Sequence, residues 1–227
     1  MLVAGCAPVR VSQTHTASTS ALEPPKVTEQ ASEPIAAFTV RTPSSLEGFS
    51  SLLSHAFVSA LGEVTPPIRV RSPHDTVNLL NEEGLAAEYA ELMGGFVRSS
   101  ILERGRLRRI GSALGSRYVF LPGVGELDHN LVDKFEIAGF KVIRSQITRL
   151  RLWVQLWDTQ SGRILWEAIG ETTVANPILS TVQATPLDAI AQSLWRRMIQ
   201  DELISRKSER SPSSASGTGN GSDPRHE

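Results

Sequence analysis

Apolar and polar residues alternate with a period of two between residues 147 and 174. Leu150, Leu152, Val154 and Leu156 take the even positions, and Arg149, Arg151, Trp153, Gln155 and Trp157 take the odd ones. This pattern predicts a strand with one face in a core. Residues 158–162 (DTQSG) are turn formers, so a hairpin follows. With Trp157 opposite Arg163, Val154 faces Trp166, Leu152 faces Ala168 and Leu156 faces Ile164. The second face combines Trp153, Trp157, Leu165 and Ile169 with Arg151, Arg163 and Glu167. It is too apolar for plain solvent and too charged for a deep core.

Before the hairpin, strands and helices alternate. Residues 35–40 (IAAFTV) form a short apolar run closed by Thr42 and Pro43, which predicts a first strand. Ser44 and Glu47 have the spacing of a capping box, and Leu46, Phe49, Leu52, Leu53, Phe57 and Leu61 then recur as one helical face. Pro66 and Pro67 end that helix, and residues 68–71 (IRVR) alternate as a second strand. Ser72 and Pro73 are suited to restart a helix, with Gly84 as a break and the pair Gly94, Gly95 as a second one. Leu102, Leu107, Ile110 and Leu114 mark a further helix, which Gly115 stops. Residues 118–121 (YVFL) read as a buried strand. After the hairpin, Thr185, Pro186 and Asp188 open a last helix with Leu187, Ile190, Ala191, Leu194 and Met198 on one face. The order predicts a single α/β domain, a mixed sheet of about five strands packed with helices.

The flanks read differently. Residues 7–34 are rich in Ser, Thr, Pro, Glu and Gln with few large apolar side chains, too few to offset the entropy of ordering. They are expected to be a flexible tether, roughly 30 Å long as a coil and at most about 95 Å stretched. Residues 205–227 are expected to be a disordered tail, which leaves 35–204 as the folded domain. Lys and Arg number 23 against 24 Asp and Glu, for a formal net charge of −1, so no overall basic field speaks for nucleic acid. No repeat at a solenoid or propeller period is visible.

The chain's 1 cysteine is Cys6, which excludes an internal disulfide. Residues 2–6 (LVAGC) resemble a bacterial lipobox. The resemblance implies a diacylglyceryl group on the Cys6 sulfur, a palmitate-bearing N-terminus and a membrane anchor, with residues 1–6 as the remnant of a lipoprotein signal. A complete signal peptide carries a basic region and a longer apolar region before the cleavage site, so Met1 is expected to lie inside the apolar region with the true start upstream. Ala7, in place of Asp, is compatible with export to the outer membrane.

Two longer stretches carry a second likeness. Residues 107–124 (LRRIGSALGSRYVFLPGV) and the hairpin 150–167 (LRLWVQLWDTQSGRILWE) resemble matching passages in three periplasmic groups. These are the curli-secretion lipoproteins, the activator lipoproteins of penicillin-binding proteins, and the N-terminal domain of the Tol-Pal translocation protein. The likeness implies an accessory or assembly protein that binds envelope proteins, as a possible homo-oligomer, without catalysis, cofactor or metal. The first strand lacks the Asn-rich loop of that group, and residues 128–140 (DHNLVDKFEIAGF) read as a polar insertion.

Partner-binding candidates follow from composition. Arg98, Arg104, Arg106, Arg108 and Arg109 stand against Glu103 alone, either as a solvated helix face or as a patch, chiefly Arg104 and Arg108, for an acidic partner or anionic headgroups. Trp153 and Trp157 beside Arg149 and Arg151 have the composition of an interface hot spot, unless the protein's own helices cover them. Asp128 with His129 could serve a periplasmic hydrolase as acid and base, although a turn with a solvated His explains them too. His74 and Asp75 fit a helix start. A cleft lined by Tyr89 or Phe96 would instead suit a small ligand. No Ser sits in a G-x-S-x-G elbow, and residues 123–125 (GVG) lack the spacing of a phosphate loop. The resulting expectation is a lipid-anchored protein on the periplasmic face of the outer membrane, acting in envelope assembly or secretion through protein contacts.

Overall fold

The computed structural model describes residues 12–19, 34–137, 140–177 and 185–205. Cys6, most of the expected tether and all but the first residue of the expected tail lie outside the described residues.

The hairpin is the centre of the sheet. β5 (Phe140–Asp158) runs antiparallel to both its neighbours, β4 (Tyr118–Ile137) and β6 (Arg163–Pro177). β2 (Ile35–Ala37) joins parallel to β4, and β3 (Val70–Arg71) joins parallel to β2. β1 (Ser12–Thr19) pairs antiparallel with β6. The described sheet is 6-stranded and mixed, in the order β1-β6-β5-β4-β2-β3.

Helices cover both faces of this sheet. Leu150, Leu152, Val154, Leu156 and Trp166 pack with Phe57 and Leu61 of α1 (Ser50–Glu63) and with Leu194 and Trp195 of α5 (Leu187–Met198). On the opposite face, Val119, Leu121 and Trp157 pack with Leu80 of α2 (Pro73–Glu82), Leu92 and Phe96 of α3 (Ala86–Ser99), and Leu107 and Ile110 of α4 (Arg104–Ala113). Strands buried on both sides explain the continuous apolar run at 118–121. A π-helical turn, Ile199–Ser205, extends α5 and buries Ile199 and Leu203.

Several elements depart from the sequence pattern. The hairpin pairs Asp158 with Arg163 and Trp157 with Ile164; a bulge then shifts the register to Leu156 with Trp166, Val154 with Ala168 and Leu152 with Gly170. The turn is tighter than expected because the Asp158 carboxylate accepts from the Gln160 amide at 2.9 Å, and Gly162 closes it at φ +68°. Ser44 makes no side-chain cap; residues Ser44–Phe49 form a 3₁₀ turn that leads into α1. Phe49 and Leu52 point outward, 44% and 42% exposed, so Leu53, Ala56, Phe57, Ala60 and Leu61 make the buried face instead.

Gly94 and Gly95 do not interrupt α3, since the buried Leu92, Met93 and Phe96 on either side hold the helix to the sheet. The helix ends at Ser100, whose φ of 57° is left-handed. A side chain is strained there, so Ser100→Gly is expected to stabilise the protein by about 0.5–1 kcal/mol, read as a higher denaturant midpoint. By contrast, the Ser72 cap and the Gly84 and Gly115 stops fall as the sequence predicts, with Ser72 Oγ accepting from the Asp75 amide and both glycines at positive φ.

Residues 128–140, expected as a polar insertion, mostly continue β4 and open β5. At the start of this stretch Asp128 lies opposite Arg149, and His129 Nδ1 is 3.0 Å from Thr148 Oγ1. Residues 12–19, expected within the tether, form the edge strand β1, with Ser12 opposite Val174 and Thr19 opposite Glu167. An edge strand is held by backbone bonds and needs no apolar face. Here polar contacts add to it: Thr14 Oγ1 is 3.3 Å from Thr172 Oγ1, and Thr16 Oγ1 donates to Glu202 at 3.2 Å. Among the described residues, no helix is long and apolar enough to cross a membrane.

Candidate functional site

The arginines of residues 98–109 separate into two groups once α4 is formed. Glu103 caps the helix, its carboxylate accepting from the Gly105 amide at 2.7 Å and the Arg106 amide at 2.9 Å. The Arg106 amide, then that of Gly105, holds the Glu103 carboxyl below the usual glutamate range. Leu107, Ile110 and Gly111 turn inward. Arg106 reaches Glu91 on α3 at 2.6 Å, and Arg109 pairs with Glu88. Those two guanidiniums are neutralised between helices.

Arg104 and Arg108 lie one helical turn apart on another side of α4. Arg104 Nε donates to the Gln160 carbonyl at 3.2 Å, and among the described residues the Arg108 side chain has no ion pair. Together with Arg117 they line a cleft of about 500 Å³ between α4 and the β5–β6 turn. Gly111, Ser112, Gly115, Ser116, Thr159 and Gln160 complete its lining, which includes no acidic side chain. Arg117 is steadied from beneath, 3.6 Å from the buried Asp158 carboxylate and 5.4 Å above the Tyr118 ring. Gly111 permits the close approach, since a Cβ there would lie 2.4 Å from Thr159 Cβ.

The hairpin's mixed face is divided along its length. Trp157 is only 3% exposed, and its indole Nε1 donates to Gln155 Oε1 at 3.0 Å. Trp153 is half-buried, with its ring 6.0 Å from that of Phe96. Helices of the same chain thus cover the aromatic end. Farther along the strands a charge ladder replaces the aromatics: Arg151 bonds Glu171 at 2.8 Å and approaches Glu126 at 3.4 Å, and Arg149 approaches Glu171 at 3.4 Å. The hydrogen bond with Arg151 holds the Glu171 carboxyl low and raises Arg151 in turn. Arg149 and Arg151 therefore share a compensated surface, apart from the cleft of Arg104 and Arg108.

Asp128 and His129 are consecutive residues of β4 and so point to opposite faces of the sheet. His74 and Asp75 are exposed at the start of α2, where the Ser72 hydroxyl is first among the contacts that lower the Asp75 pKa. Tyr89 of α3, partly buried against the core, sits edge-on to Phe38 at 5.2 Å, and burial pushes its phenol up. Phe96 is part of that same core. Among the described residues, no group of three His, Cys, Asp or Glu side chains could hold a metal ion.

Sequence reasoning found Arg104 and Arg108 but missed Arg117, Thr159 and Gln160, which complete the cleft. Their signal was positional: Arg117 directly precedes a buried strand, and Thr159 and Gln160 lie in the hairpin turn. Each belongs to an element end, and nothing in the linear pattern shows that those ends meet.

No protein-family model and no curated protein matches the chain. Solved structures similar to it include PelC from Paraburkholderia phytofirmans, a dodecamer, at a TM-score of 0.44 and 12% identity, covering 84% of this chain and 96% of that one. A point variant of PelC from the same organism, also a dodecamer, scores alike. Lipoprotein GNA1162 from Neisseria meningitidis is similar at a TM-score of 0.39 and 16% identity, covering 70% of this chain and 94% of that one.

Proposed function

We propose that this chain is a lipid-anchored protein of the bacterial cell envelope, held through Cys6 at the periplasmic face of the outer membrane, and that it serves assembly or secretion through contacts with envelope proteins and not through catalysis. The observation that carries the reading is the lipobox-like run at residues 2–6 (LVAGC). The geometry of β1 supports it: Ser12 is fixed to the sheet opposite Val174, and the stretch from Cys6 to Ser12 spans at most about 20 Å. A lipid on Cys6 would hold the domain close to the bilayer at one end of β6.

The rival hydrolase needs Asp128 and His129 to reach one bound substrate together, each within hydrogen-bond distance of the proton it transfers. Their placement on opposite faces of β4 works against that pairing.

The anchor is tested by fusing a complete lipoprotein signal peptide before Leu2 and growing cells with radiolabelled palmitate. The chain is expected to take up label, and Cys6→Ala to take up none. Equal label in the Cys6→Ala form would overturn the anchor.

A further inference from the structure

We propose that the cleft of Arg104, Arg108 and Arg117 is a docking groove for an extended acidic segment of a partner protein, with carboxylates at alternate positions. The inference deepens the contact-protein reading and rests on it; the anchor at Cys6 enters only where lipid headgroups are set aside.

Charge complementarity comes first. Three guanidiniums line about 500 Å³ with no acidic side chain in the lining, and among the described residues only Arg117 of the three has a carboxylate nearby, Asp158, at 3.6 Å. On the same helix Arg106 and Arg109 are already paired with Glu91 and Glu88, so the cleft concentrates the arginine charge that α4 leaves uncompensated. Guanidinium groups bind carboxylates through paired, charge-assisted hydrogen bonds, and arginine clusters are a recurring mode of acidic-motif recognition.

Shape then selects a chain over a small anion. The groove runs along α4 from Arg104 to Ser112, roughly 12 Å at the helical rise, which is long for a single phosphate. Arg104 and Arg108 are separated by about 6 Å along the axis. Same-side residues of an extended chain repeat at about 6.6 Å, so every second side chain meets an arginine. Gly115 leaves its part of the groove open, with nothing within 4 Å of a Cβ built there, and the Gln160 carbonyl fixes one of the Arg104 nitrogens.

Position favours a protein over lipid headgroups. The cleft lies at the β5–β6 turn, next to Arg163, whereas Ser12, through which the chain runs back toward Cys6, pairs with Val174 at the other end of β6. The two ends are about 36 Å apart along the strand.

The test is a fluorescence-anisotropy titration of the full chain, at low salt, with a fluorescein-labelled octapeptide of alternating Glu and Ser. Saturable binding is expected, weakened about 10-fold or more by Arg104→Ala with Arg108→Ala, and by added salt because the contact is ionic. Arg69→Ala with Arg196→Ala removes the same charge from residues outside the cleft lining and is expected to bind as the parent does. Arg104→Glu with Arg108→Glu is expected to lose the acidic peptide and to take up the matching Lys-Ser octapeptide, which a merely misfolded variant would not do. Inorganic phosphate and phosphatidylglycerol vesicles are the competing arms. The proposal is overturned if the parent shows no saturable binding, if both double-alanine variants lose it equally, or if phosphate or vesicles bind through Arg104 and Arg108 while the peptide does not. A chain that is labelled by palmitate yet ignores the peptide would lose the groove and keep the anchor.

Discussion

Phe57→Ala is expected to lower the free energy of unfolding by about 3–5 kcal/mol, the range for deleting a fully buried aromatic ring. Phe57 is 0% exposed and stands where three elements meet. Its ring lies edge-on to Phe120 of β4 at 5.8 Å and to Trp195 of α5 at 5.3 Å. Removing it takes away apolar burial and two aromatic contacts, and the backbones of α1, β4 and α5 cannot close the void without moving relative to one another. Leu52→Ala, on the same helix but 42% exposed, is expected to cost under about 0.5 kcal/mol. Urea unfolding of both variants reads the difference. A Phe57→Ala loss no larger than that of Leu52→Ala would mean that α1 does not pack on the sheet through this face.

The second large effect comes from adding atoms. Gly123 lies in β4 beneath the indole of Trp153, and a Cβ built on it would be 2.1 Å from Trp153 Cζ2 and 2.2 Å from Cε2. Backbone strain plays no part, because Gly123 has no positive φ; the conflict is with the ring alone. The ring cannot simply lift away, because Phe96 stands against it at 6.0 Å. Gly123→Ala is therefore expected to destabilise by about 1–3 kcal/mol through overpacking. Combining it with Trp153→Leu is expected to recover at least about 1 kcal/mol relative to the sum of the two single changes. Strict additivity in this double-mutant cycle would show that Trp153 does not lie over Gly123.

The parts of this fold that were legible from sequence are those whose burial imposes a period. The alternation from Leu150 to Leu156 exists because those side chains enter one core, and α5 shows its face because Ile190, Leu194 and Met198 enter the same one. The expected pairing was off first because the turn is one residue shorter than expected, which sets Asp158 against Arg163 and Trp157 against Ile164, and then because a bulge between Leu156 and Trp157 inserts a residue on the β6 side; no periodicity marks a bulge that keeps both faces apolar. β1 was illegible for the opposite reason: SQTHTAST carries no apolar face, and its place in the sheet comes from backbone pairing with β6. Gly94 and Gly95 misled because local propensity is weaker than the packing of Leu92, Met93 and Phe96.

The candidate site was half legible. A run of arginines on one helix can be counted, but its division into paired Arg106 and Arg109 and uncompensated Arg104 and Arg108 depends on where Glu88 and Glu91 of α3 fall. The Trp/Arg face of the hairpin had the composition of an interface, yet the strand carries Trp157 under helices and Arg151 into a ladder with Glu126 and Glu171. Composition along a strand does not say where the covering layer stops.

Density-gradient fractionation of cell envelopes tests the proposed function most directly. With a complete lipoprotein signal peptide before Leu2, the chain is expected to sediment with the outer membrane and to stay there through a high-salt wash, while Cys6→Ala is expected to be lost from the outer-membrane fraction. A Cys6→Ala chain that still sediments with the outer membrane, or a parent chain found free in the periplasm, would contradict a lipid anchor at Cys6.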